Sequence, residues 1–383
     1  MFQRLCNPLK SNSFFILGVR GSGKSTFVEH QFKPKNCIWI DLLDPEQEEL
    51  YIRNPKILED QISSEKPEWV VIDEVQRVPK LLNIAHRLIE KKKQKFILLG
   101  SSAGKLKRGF SNLLAGRAFL HDFFPLTSLE LKNDFSLDEA LHWGSLPKLY
   151  SLHSQLEKTR YLRTYVQTFV KEEIQQEQIV RKLEPFRLFL EIAAQCSGKI
   201  INSSKIAKEA GIDTKTVQSY YDVLESTYIG FYLPAYHKSI RKSQTQKPKF
   251  YLFDNGVKRA LDRTLDSKLT PKTSIYGEMF EHWVIQDVFR LNSYFEKDFR
   301  LSYLQNTNGL EVDLILSKGN QTHLIEIKSS DSIDETEVRK LATLGESFDT
   351  KTKLYYLSQC KLRVNMQGVE CWNYLEWLKY FFK

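Results

Sequence analysis

Apolar residues come in short dense runs separated by longer amphipathic stretches, and run length separates strands from helices. Phe14 to Leu17, Cys37 to Ile40, Trp69 to Ile72 and Phe96 to Leu99 are continuous runs of strand length, and Ala118 to Phe123 reads as a further strand. Polar stretches of helical character lie between them. Alternation of this kind predicts an α/β core of parallel strands over residues 1–126.

The pattern then changes twice. From about Ser136 to Glu184 strand signals stop and apolar residues recur at helical spacing, as at Leu162, Tyr165, Phe169 and Ile174, which predicts a helical lid or linker over 127–185. Phe186 to Cys196, Ser203 to Ala210 and Thr214 to Ser226 read as three helices, the last two joined at Gly211. Ile206, Ala207, Ile212, Val217, Tyr221 and Leu224 are spaced to pack together. Ile229 to Leu233 and Phe250 to Phe253 read as strands flanking a polar loop, so 186–262 predicts a winged helix-turn-helix.

From Ile275 a helix runs through Leu291. Strands follow around Phe299 to Leu304, Leu310 to Leu316 and His323 to Lys328, then a helix near Glu335 to Glu346 and a strand at Lys353 to Leu357. This αβββαβ order fills 263–383.

Composition narrows the class. The chain has 383 residues, 42% of them hydrophobic, enough for two or three ordinary globular cores and unlike a disordered or fibrous chain. A formal net charge of +9 requires positive surface, which suits nucleic acid or an acidic membrane face. Cys6, Cys37, Cys196, Cys360 and Cys371 are scattered, without a C-x-x-C pair or a histidine at metal-finger spacing, as in a reducing compartment. No run approaches the roughly 20 apolar residues of a membrane helix, and the start lacks a signal-type segment. The expectation is a cytoplasmic protein without membrane contact.

Candidate chemistry begins where the first strand meets the first helix. Gly18-Val19-Arg20-Gly21-Ser22-Gly23-Lys24-Ser25-Thr26 has the G-x-x-x-x-G-K-[ST] spacing of a phosphate-binding loop. Gly18, Gly21 and Gly23 let backbone N–H groups turn inward, and such groups at a helix start bind phosphate. Lys24 can reach the β and γ phosphates, the Ser25 hydroxyl can ligand Mg2+, and Ser22 and Thr26 complete the loop and first turn. Trp69 to Ile72 delivers Asp73 for the magnesium shell and Glu74 to polarise an attacking water. Ser101 either senses the γ-phosphate or is a plain turn. Arg117 is either a stabiliser of transition-state charge, within the chain or toward a neighbouring copy in a homo-oligomer, or part of a structural ion pair.

The second set lies downstream. Thr214, Lys215, Gln218 and Ser219 are the helix residues expected to contact DNA, with Lys238, Arg241, Lys242, Lys247 and Lys249 as a basic wing; protein docking is the alternative use of such a module. In the last domain Glu311 and Asp313 share one strand face, and Glu326 and Lys328 share another. A hairpin through Ser317 to Thr322 would bring Asp313, Glu326 and Lys328 together, where carboxylates bind magnesium and a lysine activates water.

The loop Gly18 to Ser25, Asp73-Glu74-Val75-Gln76 with Pro79, Gly100-Ser101-Ser102, Leu114-Ala115-Gly116-Arg117 and Pro125-Leu126 together resemble the prokaryotic AAA-type ATPase family with a DUF4143 C-terminal region. That family usually shows Gln-Val where this chain has Gly21-Ser22, and tends to aspartate where it has Glu173. The last domain resembles the restriction-endonuclease-like, PD-(D/E)xK core, with Glu281 at that fold's helix-borne acid. The resemblance implies a P-loop AAA-type core, helical lid, winged helix and nuclease-like domain. The implied function is Mg-ATP hydrolysis in association with DNA, with metal-dependent cleavage through Glu281, Asp313, Glu326 and Lys328. The competing expectation is a nucleotide-controlled protein-interaction switch with a non-catalytic last domain.

Overall fold

The computed structural model describes residues 2–101, 118–176, 183–237, 246–305, 311–348 and 351–383. Strands β1 (Ser13–Leu17), β2 (Cys37–Asp41), β3 (Trp69–Asp73), β4 (Lys95–Gly100) and β5 (Ala118–Asp122) form one parallel sheet in the order β2-β3-β4-β1-β5. All five residues of β1 and of β3 are buried, as strands covered on both faces must be. Side chains alternate across β1: Phe15 and Leu17 join one apolar cluster, Phe14 and Ile16 the other. The first cluster takes Leu81, Ala85 and Leu88 from α4 (Lys80–Lys92); the second takes Phe27 and Phe32 from the helix after the glycine-rich loop.

That helix starts as α1 (Lys24–Phe27) and continues as a wider π turn through Phe32. The polar stretch between β2 and β3 folds as two helices, α2 (Pro45–Arg53), capped by the Asp44 side chain, and α3 (Ile57–Glu65).

After the core come α5 (Ser128–Leu131), α6 (Leu137–Trp143) and α7 (Gln155–Gln176). Then follow α8 (Leu183–Gln195), α9 (Ser203–Ala210) and α10 (Thr214–Ser226). Asn202 caps α9 and Asp213 caps α10, and Gly211 between them takes a left-handed φ of 65°. Strands β6 (Gly230–Leu233) and β7 (Lys249–Leu252) pair antiparallel, and Ile200 bridges to Lys249. One apolar cluster runs from Trp143 to Leu265 and includes Val19 of the loop, so helices α6 and α7 share a core with the three-helix unit.

The last domain packs α12 (Ser274–Tyr294) on a six-stranded sheet. Its strands are β8 (Arg300–Gln305), β9 (Glu311–Lys318), β10 (Gln321–Ile327), β11 (Lys353–Ser358), β12 (Val364–Met366) and β13 (Val369–Asn373), in the order β12-β13-β11-β10-β9-β8. Helix α13 (Glu335–Gly345) matches the expected one, whereas β12, β13 and α14 (Tyr374–Phe382) extend the predicted αβββαβ order.

Buried polar groups join these parts. Asp254 caps α11 (Asn255–Leu261) and accepts from Ser145 N at 2.7 Å. Arg290 of α12 donates to Leu126 O at 3.1 Å, to Ser145 Oγ at 2.9 Å and to Phe253 O. A Cβ on Gly144 would lie 2.0 Å from Asp254 Oδ1, so this joint requires glycine.

Candidate nucleotide site and carboxylate cluster

The loop between β1 and α1 lies at the carboxyl ends of the central strands, where open α/β sheets bind ligands. Gly18 donates its N–H to Gly100 O at 3.2 Å, and a Cβ there would meet Phe123 O at 1.9 Å, so the backbone passes too closely for any side chain. Gly21 and Gly23 have φ of 75° and 93°, left-handed values that turn the chain sharply between β1 and α1. Ser22 is buried and its Oγ donates to Val19 O at 2.7 Å; Thr26 is exposed. Helix α7 covers the loop, with Tyr165 Oη donating to Arg20 O at 2.9 Å.

Lys24 is buried and donates to Gly18 O at 2.7 Å and Val19 O at 3.2 Å, carbonyls of its own loop. Ser25 Oγ donates to Asp73 Oδ2 at 2.5 Å. Two hard oxygen donors meet beside a lysine and a glycine cradle, a set that fits Mg2+ and a polyphosphate. Burial, opposed by the Ser25 hydrogen bond and reinforced by Glu74, pushes the Asp73 carboxyl up to about 6. A cation at this point would restore the charged form.

Glu74 has a left-handed backbone, φ 53°, uncommon for a non-glycine residue. Its Oε2 accepts from Ser101 Oγ at 2.9 Å and from Gln76 Nε2, while Gln76 Nε2 also donates to Ser101 Oγ at 2.9 Å. Ser101 therefore links the two strand-end acids' neighbourhood to β4. Gln76, to which the sequence assigned no role, has its Oε1 buried and, among the described residues, without a hydrogen-bond partner. Its signal was its place two residues after Glu74. Arg4, equally unassigned, donates to Ser22 O at 2.7 Å and has no motif to reveal it. Arg117, the Leu-Leu-Ala-Gly-Arg tract and Ser102 lie outside the described residues.

In the last domain the strand faces meet as the alternation implied. Asp313 Oδ2 accepts from Ile327 N at 2.8 Å and stands 3.8 Å from Lys328 Nζ, which also pairs with Glu326. Glu281 accepts from Tyr251 Oη at 3.1 Å. Burial raises Glu281, Asp313 and Glu326 above the ordinary carboxylate range, Asp313 raises Glu281 and Glu326 further, and neighbouring lysines oppose this.

One expected wing cation belongs to this cluster instead. Lys249 is 5% exposed, and its Nζ lies 3.0 Å from Glu311 Oε1 and 3.8 Å from Glu281 Oε1. The residue starts β7, whose pairing with β6 turns its side chain inward, so it is not available to nucleic acid. Among the described residues no group of three or more His, Cys, Asp or Glu side chains is set to hold a metal ion. Lysines engage the carboxylates assigned to metal at Glu281, Asp313 and Glu326.

Of the residues expected at DNA, Thr214, Lys215 and Gln218 are exposed on α10 and Ser219 is half-buried. Gln218 Nε2 donates to Asp222 Oδ1 at 3.1 Å and to Tyr232 Oη at 2.9 Å, which ties it to its own fold. Lys247 is exposed; Lys238, Arg241 and Lys242 lie outside the described residues. Among the described residues no helix is long and apolar enough to cross a membrane.

Three family models match. Residues 10–132 match an AAA domain, 134–269 a domain of unknown function, DUF8612, and 276–377 the domain of unknown function DUF4143. Uncharacterized proteins of Mycobacterium tuberculosis and Mycobacterium bovis are each 23% identical over 68% of this chain, which spans 58% of their length. An uncharacterized protein of Haemophilus influenzae is 19% identical over 95% of this chain and 93% of its own. Among solved structures, the Aeropyrum pernix ORC1 protein in complex with DNA aligns at 12% identity and TM-score 0.27, over 67% of this chain and 87% of its own. Protein VC1899 from Vibrio cholerae aligns at 12% identity and TM-score 0.23, over 96% and 95%. Both likenesses are too slight to carry an argument. The family matches meet the geometry at two places: the AAA-domain match, residues 10–132, contains the glycine-rich loop with Asp73 and Glu74, and the DUF4143 match, residues 276–377, contains Glu281, Asp313, Glu326 and Lys328.

Proposed function

We propose that the chain is a magnesium-dependent ATPase that works on or at DNA. The observation that carries the reading is the strand-end constellation: Ser25 hydrogen-bonded to Asp73, with Glu74 held beside it by Ser101 and Gln76. In this reading Lys24 and the loop N–H groups bind the β and γ phosphates, and Ser25 and Asp73 hold Mg2+, which when bound offsets phosphate charge. Glu74 takes the proton of the attacking water, and Gln76 Oε1 and Ser101 orient that water. DNA association rests on the excess of +9 and on the exposed Thr214 and Lys215 at the start of α10.

The test is ATP turnover with and without duplex DNA at two salt concentrations, in the wild type and Lys24→Ala. Loss of turnover in the variant, and DNA stimulation that fades with salt, are expected. Turnover unchanged in Lys24→Ala overturns the ATPase reading. DNA binding that is absent, or indifferent to salt, leaves the protein-interaction switch.

A second activity, cleavage of DNA, is favoured by the convergence of Asp313, Glu326 and Lys328 on one buried face. Metal-dependent nicking that vanishes in both Asp313→Ala and Lys328→Ala is its signature. Nicking that survives both substitutions rules this face out.

A further inference from the structure

Arg4 stands outside every sequence motif, yet its buried guanidinium ties together distant parts of the chain. Nη1 donates to Ser22 O in the phosphate loop at 2.7 Å, Nη2 to Phe124 O at 2.6 Å and to Tyr294 Oη at 3.1 Å, and Nε to Glu130 Oε1 at 2.9 Å. The guanidinium also lies over the Phe123 ring, 4.0 Å from its centre. An ion pair with Glu130 alone would need one donor and one acceptor. Here the remaining contacts end on the loop, on the chain leaving β5 and on the last residue of α12.

The contact to the loop has a stereochemical consequence. A peptide unit is planar and trans, so fixing the Ser22 carbonyl fixes the opposed direction of the Gly23 N–H. Gly23, at φ 93°, is the N-cap of α1, and the N–H groups at such a helix start are those that a nucleotide phosphate would meet. Tyr294 belongs to the helix that also carries Glu281, Asp287 and Arg290, and it accepts from Phe124 N at 2.9 Å. A change in the Ser22–Gly23 peptide therefore reaches α12 through one side chain.

We propose that Arg4 is a positioning residue that aims the Gly23 N–H at the nucleotide phosphate and passes nucleotide occupancy to helix α12 through Tyr294. The proposal rests on the reading of Gly18 to Thr26 as a nucleotide loop. It predicts that affinity and signalling separate: Arg4 governs both, Tyr294 only the second.

The experiment measures Mg-ATP affinity by fluorescent-analogue titration, and backbone hydrogen exchange over 274–294 with and without Mg-ATP. It uses the full chain as wild type, Arg4→Ala and Tyr294→Phe. Wild type is expected to bind and to gain protection across 274–294. Tyr294→Phe is expected to bind within about twofold of wild type and to lose that gain. Arg4→Ala, its fold checked by circular dichroism, is expected to bind about tenfold more weakly, the loss of one good hydrogen bond. Millimolar guanidinium, and not equal sodium chloride, should restore part of the binding. A wild-type exchange response in Tyr294→Phe overturns the link to α12, and wild-type affinity in folded Arg4→Ala overturns the positioning role. If the wild type itself binds no nucleotide, the loop reading falls and takes the inference with it.

Discussion

Lys249 Nζ lies 3.8 Å from Glu281 Oε1, across the seam between the two-stranded ribbon and helix α12. The same ammonium is 3.0 Å from Glu311, so one lysine holds two carboxylates of the last domain. Removing it leaves those acids without their cation. At pH 9, above the range in which folded Glu281 keeps its proton, Lys249→Met should destabilise the chain by about 3 kcal/mol in denaturant unfolding, the low end for a buried pair because both acids keep some contact with water. Adding Glu281→Gln should recover part of the loss, and a pair of strictly additive effects would contradict the contact.

The carboxylate cluster also sets a pH dependence. Burial and the nearby Asp313 push Glu281 and Glu326 from an ordinary value of 4.5 up to about 8, with Lys249 and Lys328 opposing. The folded state thus keeps protons that the unfolded chain has released, and stability must fall as pH rises between these values. The contribution is complete below about 4.5 and lost once pH passes about 8. Melting temperatures between pH 5.5 and 8.5 should decline, and Glu326→Gln should flatten the decline. An unchanged slope would remove Glu326 as a source.

If Glu74 is the base proposed above, Glu74→Gln keeps the shape of the residue and its contact with Ser101 while removing that base. ATP affinity should stay near wild type and turnover should drop on the order of 100-fold or more. Equal losses in affinity and turnover would instead make Glu74 a binding residue.

Two glycine substitutions separate crowding from backbone strain. Gly18→Ala would put a methyl 1.9 Å from Phe123 O, and should cost at least about 3 kcal/mol because the backbone has nowhere to go. Gly211→Ala meets nothing within 4 Å and bears only its left-handed φ of 65°, so about 1 kcal/mol is expected. Thermal denaturation of the two variants should rank them in that order.

The parallel sheet β2-β3-β4-β1-β5 was legible because its central strands are buried on both faces and so read as unbroken apolar runs. The short exposed β12 (Val364–Met366) leaves no such mark. The carboxylate face was legible because alternation along β9 and β10 fixes which residues share a side. Lys249 was not, since a lysine at the edge of a basic polar tract looks alike whether it points to solvent or begins a strand. Arg4 is a harder case: its partners lie 18, 120, 126 and 290 positions away, and no local pattern encodes contacts so distant.

Strand β1 has one more consequence, for synthesis. Ser13 to Leu17 is buried at every position, but its two neighbours are residues 95–100 and 118–122. At about 5–20 residues per second, the ribosome needs roughly 4–16 s to supply the nearer one. For that interval an apolar segment ending at the glycine-rich loop has no sheet to enter. The nascent chain must shelter Phe14, Phe15, Ile16 and Leu17 by other means, and a chaperone that recognises short apolar segments would meet its binding site before the domain exists.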